Sequence, residues 1–165
     1  MTKYISVVLF SGIRSSLPAG DISIGQVYEV LPFDSYLVSA DISGQQLLGA
    51  LENGVSRVEG VQGRFLQVAG MRFKWDGSAL PGKRIVSADV NTLDGYKPVE
   101  ADKAYRVVTL DYVASGGDGF TDIKSAANQV NLAFPLTDVV SEYLNQHSPV
   151  NPQVEGRIIR IDGPH

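Results

Sequence analysis

Residues Tyr105 to Phe120 read YRVVTLDYVASGGDGF, and the reading of the whole chain turns on them. The first part, Tyr105-Arg106-Val107-Val108-Thr109-Leu110, is an apolar run rich in β-branched residues, as a buried strand requires. The stretch ends in Gly116-Gly117-Asp118-Gly119, where three glycines in four residues open backbone angles closed to other side chains. These four residues shape a loop that lets backbone approach a ligand, or that thrusts Phe120 outward as a flat stacking face. The plainer alternative is a strand ending in a tight turn, with Phe120 returning to the core. On the loop alone, the plainer alternative weighs more.

Length and composition narrow the classes. A chain of 165 residues is most simply one domain with room for a sizeable core. Apolar content of 44% with 19% charged residues suits a soluble globular protein and argues against disorder. A net charge of −4 gives no reason to expect nucleic acid or an anionic membrane as partner. The absence of cysteine excludes disulfides and thiolate metal sites. No apolar run approaches the ~20 residues of a membrane helix, and the opening MTKYISVVLF is too short for a secretory signal.

Outward from the central stretch, Ile5 to Phe10 reads as a buried strand running into Ser11-Gly12-Ile13-Arg14. A glycine beside an arginine just past a strand end suits an anion or ribose contact, though on this fragment alone a surface arginine in a connecting loop weighs more. Ser23-Ile24-Gly25-Gln26 has capping-box spacing and starts a short helix to about Val30, which Leu31-Pro32 must stop. Phe33 follows that break, and local evidence alone puts such a residue in the core. Tyr36 to Ile42 alternates as a half-buried strand. Ser43-Gly44-Gln45-Gln46 repeats the capping box, and Leu47, Leu48, Leu51 and Val55 recur on one helical face to about Val55. Phe65 to Val68 and Met71 to Trp75 read as strands joined by Ala69-Gly70 in a hairpin, with Met71, Phe73 and Trp75 buried. Arg84 to Val90 is a strand, Leu93 to Asp102 a loop, Pro135 to Asn145 a helix begun by proline, and Val154 to Ile161 a closing strand. About three helices among at least seven strands, without regular βαβ alternation, predict an α+β fold with a mixed β-sheet.

Catalytic machinery is missing. Two histidines, His147 and His165, cannot supply the ligand sets of metal-dependent hydrolysis. No Gly-x-Ser-x-Gly, Gly-x-Gly-x-x-Gly or Gly-x-x-x-x-Gly-Lys-Ser/Thr occurs. Asp21, Asp34, Asp111 and Asp118 sit at turn and cap positions, although an acid–base pair brought together in space is invisible in a sequence. The residues describe a binding domain, with neither catalytic residues nor metal site of its own.

Five motifs in order, SGIRSSLPAGDISIGQVYEVLPF, SGQQLLGALENGVS, GRFLQVAGMRF, YRVVTLDYVASGGDGF and VEGRI, resemble the C-terminal domain of 5′-nucleotidases. That family takes in UDP-sugar hydrolases and cyclic-nucleotide phosphodiesterases, and the likeness covers nearly the whole chain. The resemblance implies that residues 1–165 form the substrate-binding domain of a hydrolase. An N-terminal metallophosphoesterase domain absent from this chain would then carry two divalent metal ions, and this chain alone would hydrolyse nothing. It further implies a nucleotide or nucleoside ligand and a periplasmic, secreted or cell-surface location. By resemblance, Phe33 of Leu-Pro-Phe and Phe120 closing Gly-Gly-Asp-Gly-Phe clamp the base, overriding the core readings given locally. Arg14, and Gly12 through its amide, face the ribose and phosphate.

The chain departs from the family at Leu9-Phe10-Ser11, where relatives carry an asparagine and two more glycines, and Leu9 cannot hydrogen-bond a base. Two alternatives follow. One is a scaffold or interaction module kept for its fold. The other is the C-terminal domain of a thiosulfohydrolase-type relative, whose substrate has no base to clamp.

Overall fold

A computed structural model describes residues 5–9, 12–60 and 63–162 of the chain. Two capping boxes set where its first helices begin. Ser23 Oγ accepts from the Gln26 amide at 3.3 Å while Gln26 Oε1 accepts from the Ser23 amide at 2.7 Å, and α1 runs Ile24–Val30. Ser43 and Gln46 exchange the same bonds at 3.2 and 2.9 Å and open α2, Gly44–Val55. Each box pairs amide donors that a helix start leaves over.

The strands are β1 (Ile5–Leu9), β2 (Tyr36–Ser43), β3 (Leu66–Ala69), β4 (Met71–Trp75), β5 (Ile85–Thr92), β6 (Gly95–Pro98), β7 (Ala104–Leu110), β8 (Ala127–Pro135) and β9 (Ile158–Arg160). Helices α3 (Asp111–Ala114) and α4 (Thr121–Lys124) are single turns, and α5 is Leu136–His147. Two sheets form, with strand orders β3-β1-β7-β2-β8 and β6-β5-β4-β9. Both are mixed: β1 is parallel to β7 and β4 to β9, and the remaining neighbours are antiparallel. The architecture is therefore α+β, with three helices longer than one turn among the described residues.

One apolar cluster joins the sheets. Met71, Phe73 and Trp75 of β4 and Ile5, Val7 and Val107 of β1 and β7 belong to it, as do Leu47, Leu51 and Val55 of α2. Helix α2 touches strands of both sheets. Burying each of its three large side chains contributes about 1.5–3 kcal/mol before chain entropy is counted.

Three readings of the chain need correction. β3 and β4 form no hairpin: β3 pairs with β1 and β4 with β5, so each arm's ladder lies in a different sheet. The chain changes sheets at Gly70, whose φ of 71° glycine adopts without strain. The closing strand is confined to Ile158–Arg160, because only those residues pair with β4, and Val154 lies fully exposed. The third is Leu93 to Asp102, which is not all loop, because Gly95–Pro98 forms β6 and pairs with β5. β8 is an edge strand that hydrophobic periodicity does not announce. Most of its residues are exposed, and its pairing with β2 is broken by two register shifts.

The far end of α2 is held by a buried arginine. Arg84 is 3% exposed; its Nη1 donates to the Val55 carbonyl at 2.6 Å and its Nε to that of Ala79 at 2.9 Å. Its guanidinium also pairs with Glu59. That hydrogen bond holds the Glu59 carboxyl below the usual carboxylate range. A carboxylate favoured in the folded state adds stability above its unfolded pKa, and the gain disappears as pH falls through the lowered folded value. Thermal melts from neutral pH to below pH 4 should thus show a smaller acid loss in Glu59→Gln than in the wild type; parallel curves would contradict the pairing. At the other end, Ser43→Ala should cost about 1 kcal/mol in urea unfolding. Gly44→Ala should cost more, since a Cβ there would fall 2.1 Å from the Glu100 carbonyl oxygen.

Candidate functional site

Strand direction decides which loops meet. β1 is parallel to β7, while β2 is antiparallel to β7, with Leu37 opposite Leu110. An antiparallel strand enters at the end where its partner leaves. The segment after β1 (residues 12–14), the segment before β2 (31–35) and the segment after β7 (111–120) therefore share one end of the five-stranded sheet. The start of α5 joins them, because Tyr36 pairs with Pro135 and the Leu136 amide donates to the Ser35 carbonyl at 2.9 Å. Gly12, Arg14, Phe33 and Gly116 to Gly119, singled out in the sequence, are thus gathered on one rim. Arg14 is exposed, and its amide donates to the Val30 carbonyl at 2.8 Å, tying the loop after β1 to the end of α1. Leu9, just before it, is buried in the core. Phe10 and Ser11 lie outside the described residues.

Phe33 lines a shallow pocket of about 170 Å³ with Tyr28, Asp34, Tyr36, Pro135 and Asp138. Sites that enclose small ligands run to roughly 300–1,000 Å³, so this pocket can seat only part of a nucleotide-sized molecule. Phe33 itself is 54% exposed, contrary to the core position that local sequence suggests. α1 ends at Val30 with Leu31 as its C-cap, and Pro32 leaves Phe33 beyond the helix.

Phe120 requires the opposite correction. It is wholly buried, as is Ile123 one turn later. The glycine turn folds back on itself, with the Gly119 amide donating to Gly116 O and the Phe120 amide to Gly117 O, both at 3.2 Å. That return carries Phe120 into the core at the start of α4, which packs on α2. A ring without an exposed face cannot stack on a ligand, and the plainer local reading of Phe120 holds.

The loop presents a different ring. Tyr112, in the first turn after β7, is 52% exposed. A Cβ at Gly117 would lie 2.4 Å from its Cε1 and Cζ atoms, so only glycine leaves room for the ring to lie against the loop backbone. The Tyr112 hydroxyl donates to Asp118 Oδ1 at 3.3 Å. Asp118 occupies the left-handed region at φ 52°, and its carbonyl accepts from Asn53 Nδ2 at 3.2 Å. Asn53 Oδ1 in turn accepts from Arg64 Nη1 at 3.3 Å. Sequence reasoning passed over Tyr112 although it lies within the stretch that drew attention. Its signal was an aromatic at a strand end, five residues before a glycine whose missing side chain makes its seat.

No group of three or more His, Cys, Asp or Glu side chains able to hold a metal ion occurs among the described residues. Nor is any helix among them long and apolar enough to cross a membrane. The rim offers the Phe33 and Tyr112 rings, the Arg14 guanidinium, loop amides and the carboxylates of Asp34, Asp118 and Asp138.

Residues 1–125 match the family model described as 5′-nucleotidase, C-terminal domain. The trifunctional nucleotide phosphoesterase protein YfkN of Bacillus subtilis (strain 168) is 36% identical over 95% of this chain, which spans 11% of that protein. The crystal structure of a 5′-nucleotidase precursor from Thermus thermophilus superposes with a TM-score of 0.95 at 43% identity. It covers 97% of this chain, which spans 32% of it. A Thermus thermophilus sulfate thiohydrolase, SoxB, shares the fold at TM-score 0.73 and 19% identity, covering 99% of this chain and 30% of its own. The chain spans well under half the length of the curated relatives it matches.

If Gly117 is the seat of the Tyr112 ring, Gly117→Ala should move that ring while leaving the core intact. In an aromatic ¹³C–¹H spectrum the Tyr112 resonance should shift and that of Tyr105, in the core, should stay. An unmoved Tyr112 signal would contradict the contact.

Proposed function

Because the chain belongs to the family of 5′-nucleotidase C-terminal domains, we propose that it binds the nucleoside end of a nucleotide substrate for a hydrolase of which it is one part. One observation carries the reading: two aromatic rings on the same rim, Phe33 and Tyr112, are each about half exposed, at 54% and 52%. Exposed rings at a strand-end rim suit stacking, which contributes ~1–3 kcal/mol per base and accepts any base because each has a π face. Tyr112 takes the part first assigned to Phe120. Arg14 and the Gly12 amide serve the ribose and phosphate side, where a guanidinium fork and backbone donors match anionic oxygens. The Asp118 carboxylate, next to the Tyr112 hydroxyl, is an acceptor for ribose hydroxyls.

Hydrolysis would fall to a metallophosphoesterase domain N-terminal to these residues, whose two divalent ions would supply Lewis-acid chemistry. This chain alone binds without turnover, and its small pocket is completed when that domain covers the ligand. Such a protein works outside the cytoplasm, in the periplasm, at the cell surface or secreted.

A second reading, a scaffold whose base site has decayed, draws on Leu9, which is apolar and buried where the family places an asparagine. The likeness to SoxB speaks for the fold alone, and a sulfur anion has no use for two exposed rings. Titration of adenosine and AMP into the chain separates these readings. Both ring resonances should move at millimolar ligand, and Phe33→Ala and Tyr112→Ala should each weaken binding roughly 5- to 150-fold. Phe120→Ala should instead lower stability by about 3–5 kcal/mol. Rings that stay still at millimolar adenosine would leave the scaffold reading standing.

A further inference from the structure

We propose that Asn53 and Arg64 are positioning residues that hold the Gly116 to Gly119 loop in the shape that opens the Tyr112 ring to a base. The inference rests on the reading of Tyr112 as a stacking face. Most of the loop's backbone bonds are its own turn bonds, from Gly116 N to Val113 O at 3.0 Å and from Gly119 and Phe120 back to Gly116 and Gly117. Its midpoint is Asp118, at a φ of 52° in the left-handed region, which aspartate enters more readily than most residues with a Cβ and which leaves its carbonyl turned away from the loop's own turn bonds. What meets it from outside is Asn53 Nδ2, reaching from α2 to the Asp118 carbonyl at 3.2 Å across 65 residues of sequence.

An amide side chain has a donor end and an acceptor end, and turning it over would put oxygen against the Asp118 carbonyl oxygen. Arg64 decides which way it points: Nη1 donates to Asn53 Oδ1 at 3.3 Å, leaving Nδ2 for the loop. The pair lies close against the last loop glycine, where a Cβ at Gly119 would fall 3.4 Å from Asn53 Oδ1 and 3.8 Å from Arg64 Nη1. The same residue whose carbonyl Asn53 holds offers its carboxylate to the Tyr112 hydroxyl. Arg64, Asn53, Asp118 and Tyr112 thus form one hydrogen-bonded series from the core side of the loop to its exposed ring. A ring already held in its binding orientation has less ordering to lose when the ligand arrives.

The test is Asn53→Asp in the 165-residue chain, which keeps the acceptor for Arg64 and removes the donor to Asp118. Adenosine is titrated into four proteins: wild type, Asn53→Asp, Tyr112→Ala and the double variant. The expected results are an approximately 5-fold weaker affinity in Asn53→Asp, the scale of one lost hydrogen bond, and no further loss in the double variant, because coupled residues are not additive. The Tyr112 ring resonance should also shift in Asn53→Asp before any ligand is added. Wild-type affinity in Asn53→Asp, or an equal loss with and without Tyr112, would overturn the positioning role and leave the stacking reading standing. Wild-type affinity in Tyr112→Ala would remove the stacking reading itself, and the positioning role with it. Should Asn53→Asp fail to fold, Arg64→Lys, which keeps the charge and loses the guanidinium geometry, is judged by the same four-way comparison.

Discussion

The pairing of β7 with β1 on one side and β2 on the other is the constraint from which the site follows. Thr109, fully buried in β7, donates its hydroxyl to the Val7 carbonyl of β1 at 2.8 Å, joining the parallel pair by a side chain as well as the ladder. Unpaired in that core, the hydroxyl would cost more than the bond returns. Given this register, residues from three distant parts of the chain must leave the sheet at one end. A slip of one residue would turn Val107 and Tyr105 outward and break the cluster they share with α2.

The glycine loop exposes a different ring from the one its motif points to. Three glycines do bring backbone close to an aromatic ring, but the ring belongs to the same loop and precedes the glycines. Phe120, which follows them, is drawn inward because the turn closes tightly and α4 packs on α2. Within ten residues the chain thus places one aromatic ring outside and another at the centre of the core. The two differ little in composition; the direction of the turn separates them.

Helix α2 links stability to the site. Its start is set by the Ser43 capping box, its apolar face joins both sheets, and its end is held by Arg84. Its remaining face carries Asn53 to the glycine loop. The pocket beside Phe33 is too small to enclose a nucleotide.

The amino-acid sequence by itself determined both capping boxes, the apolar face of α2, the buried alternation of β4 and the α+β class. Each depends on residues close together in the chain, where spacing alone fixes geometry. It also marked Arg14, Phe33 and the glycine loop as worth following. Tertiary structure decided the rest. It sent β3 and β4 to different sheets, and it made an edge strand of Ala127 to Pro135, whose lack of a buried face erased the periodicity that would have announced it. It also chose Tyr112 over Phe120 as the exposed ring. Solvent exposure is settled by which distant segments cover a side chain, and that information exists only once the chain has closed on itself.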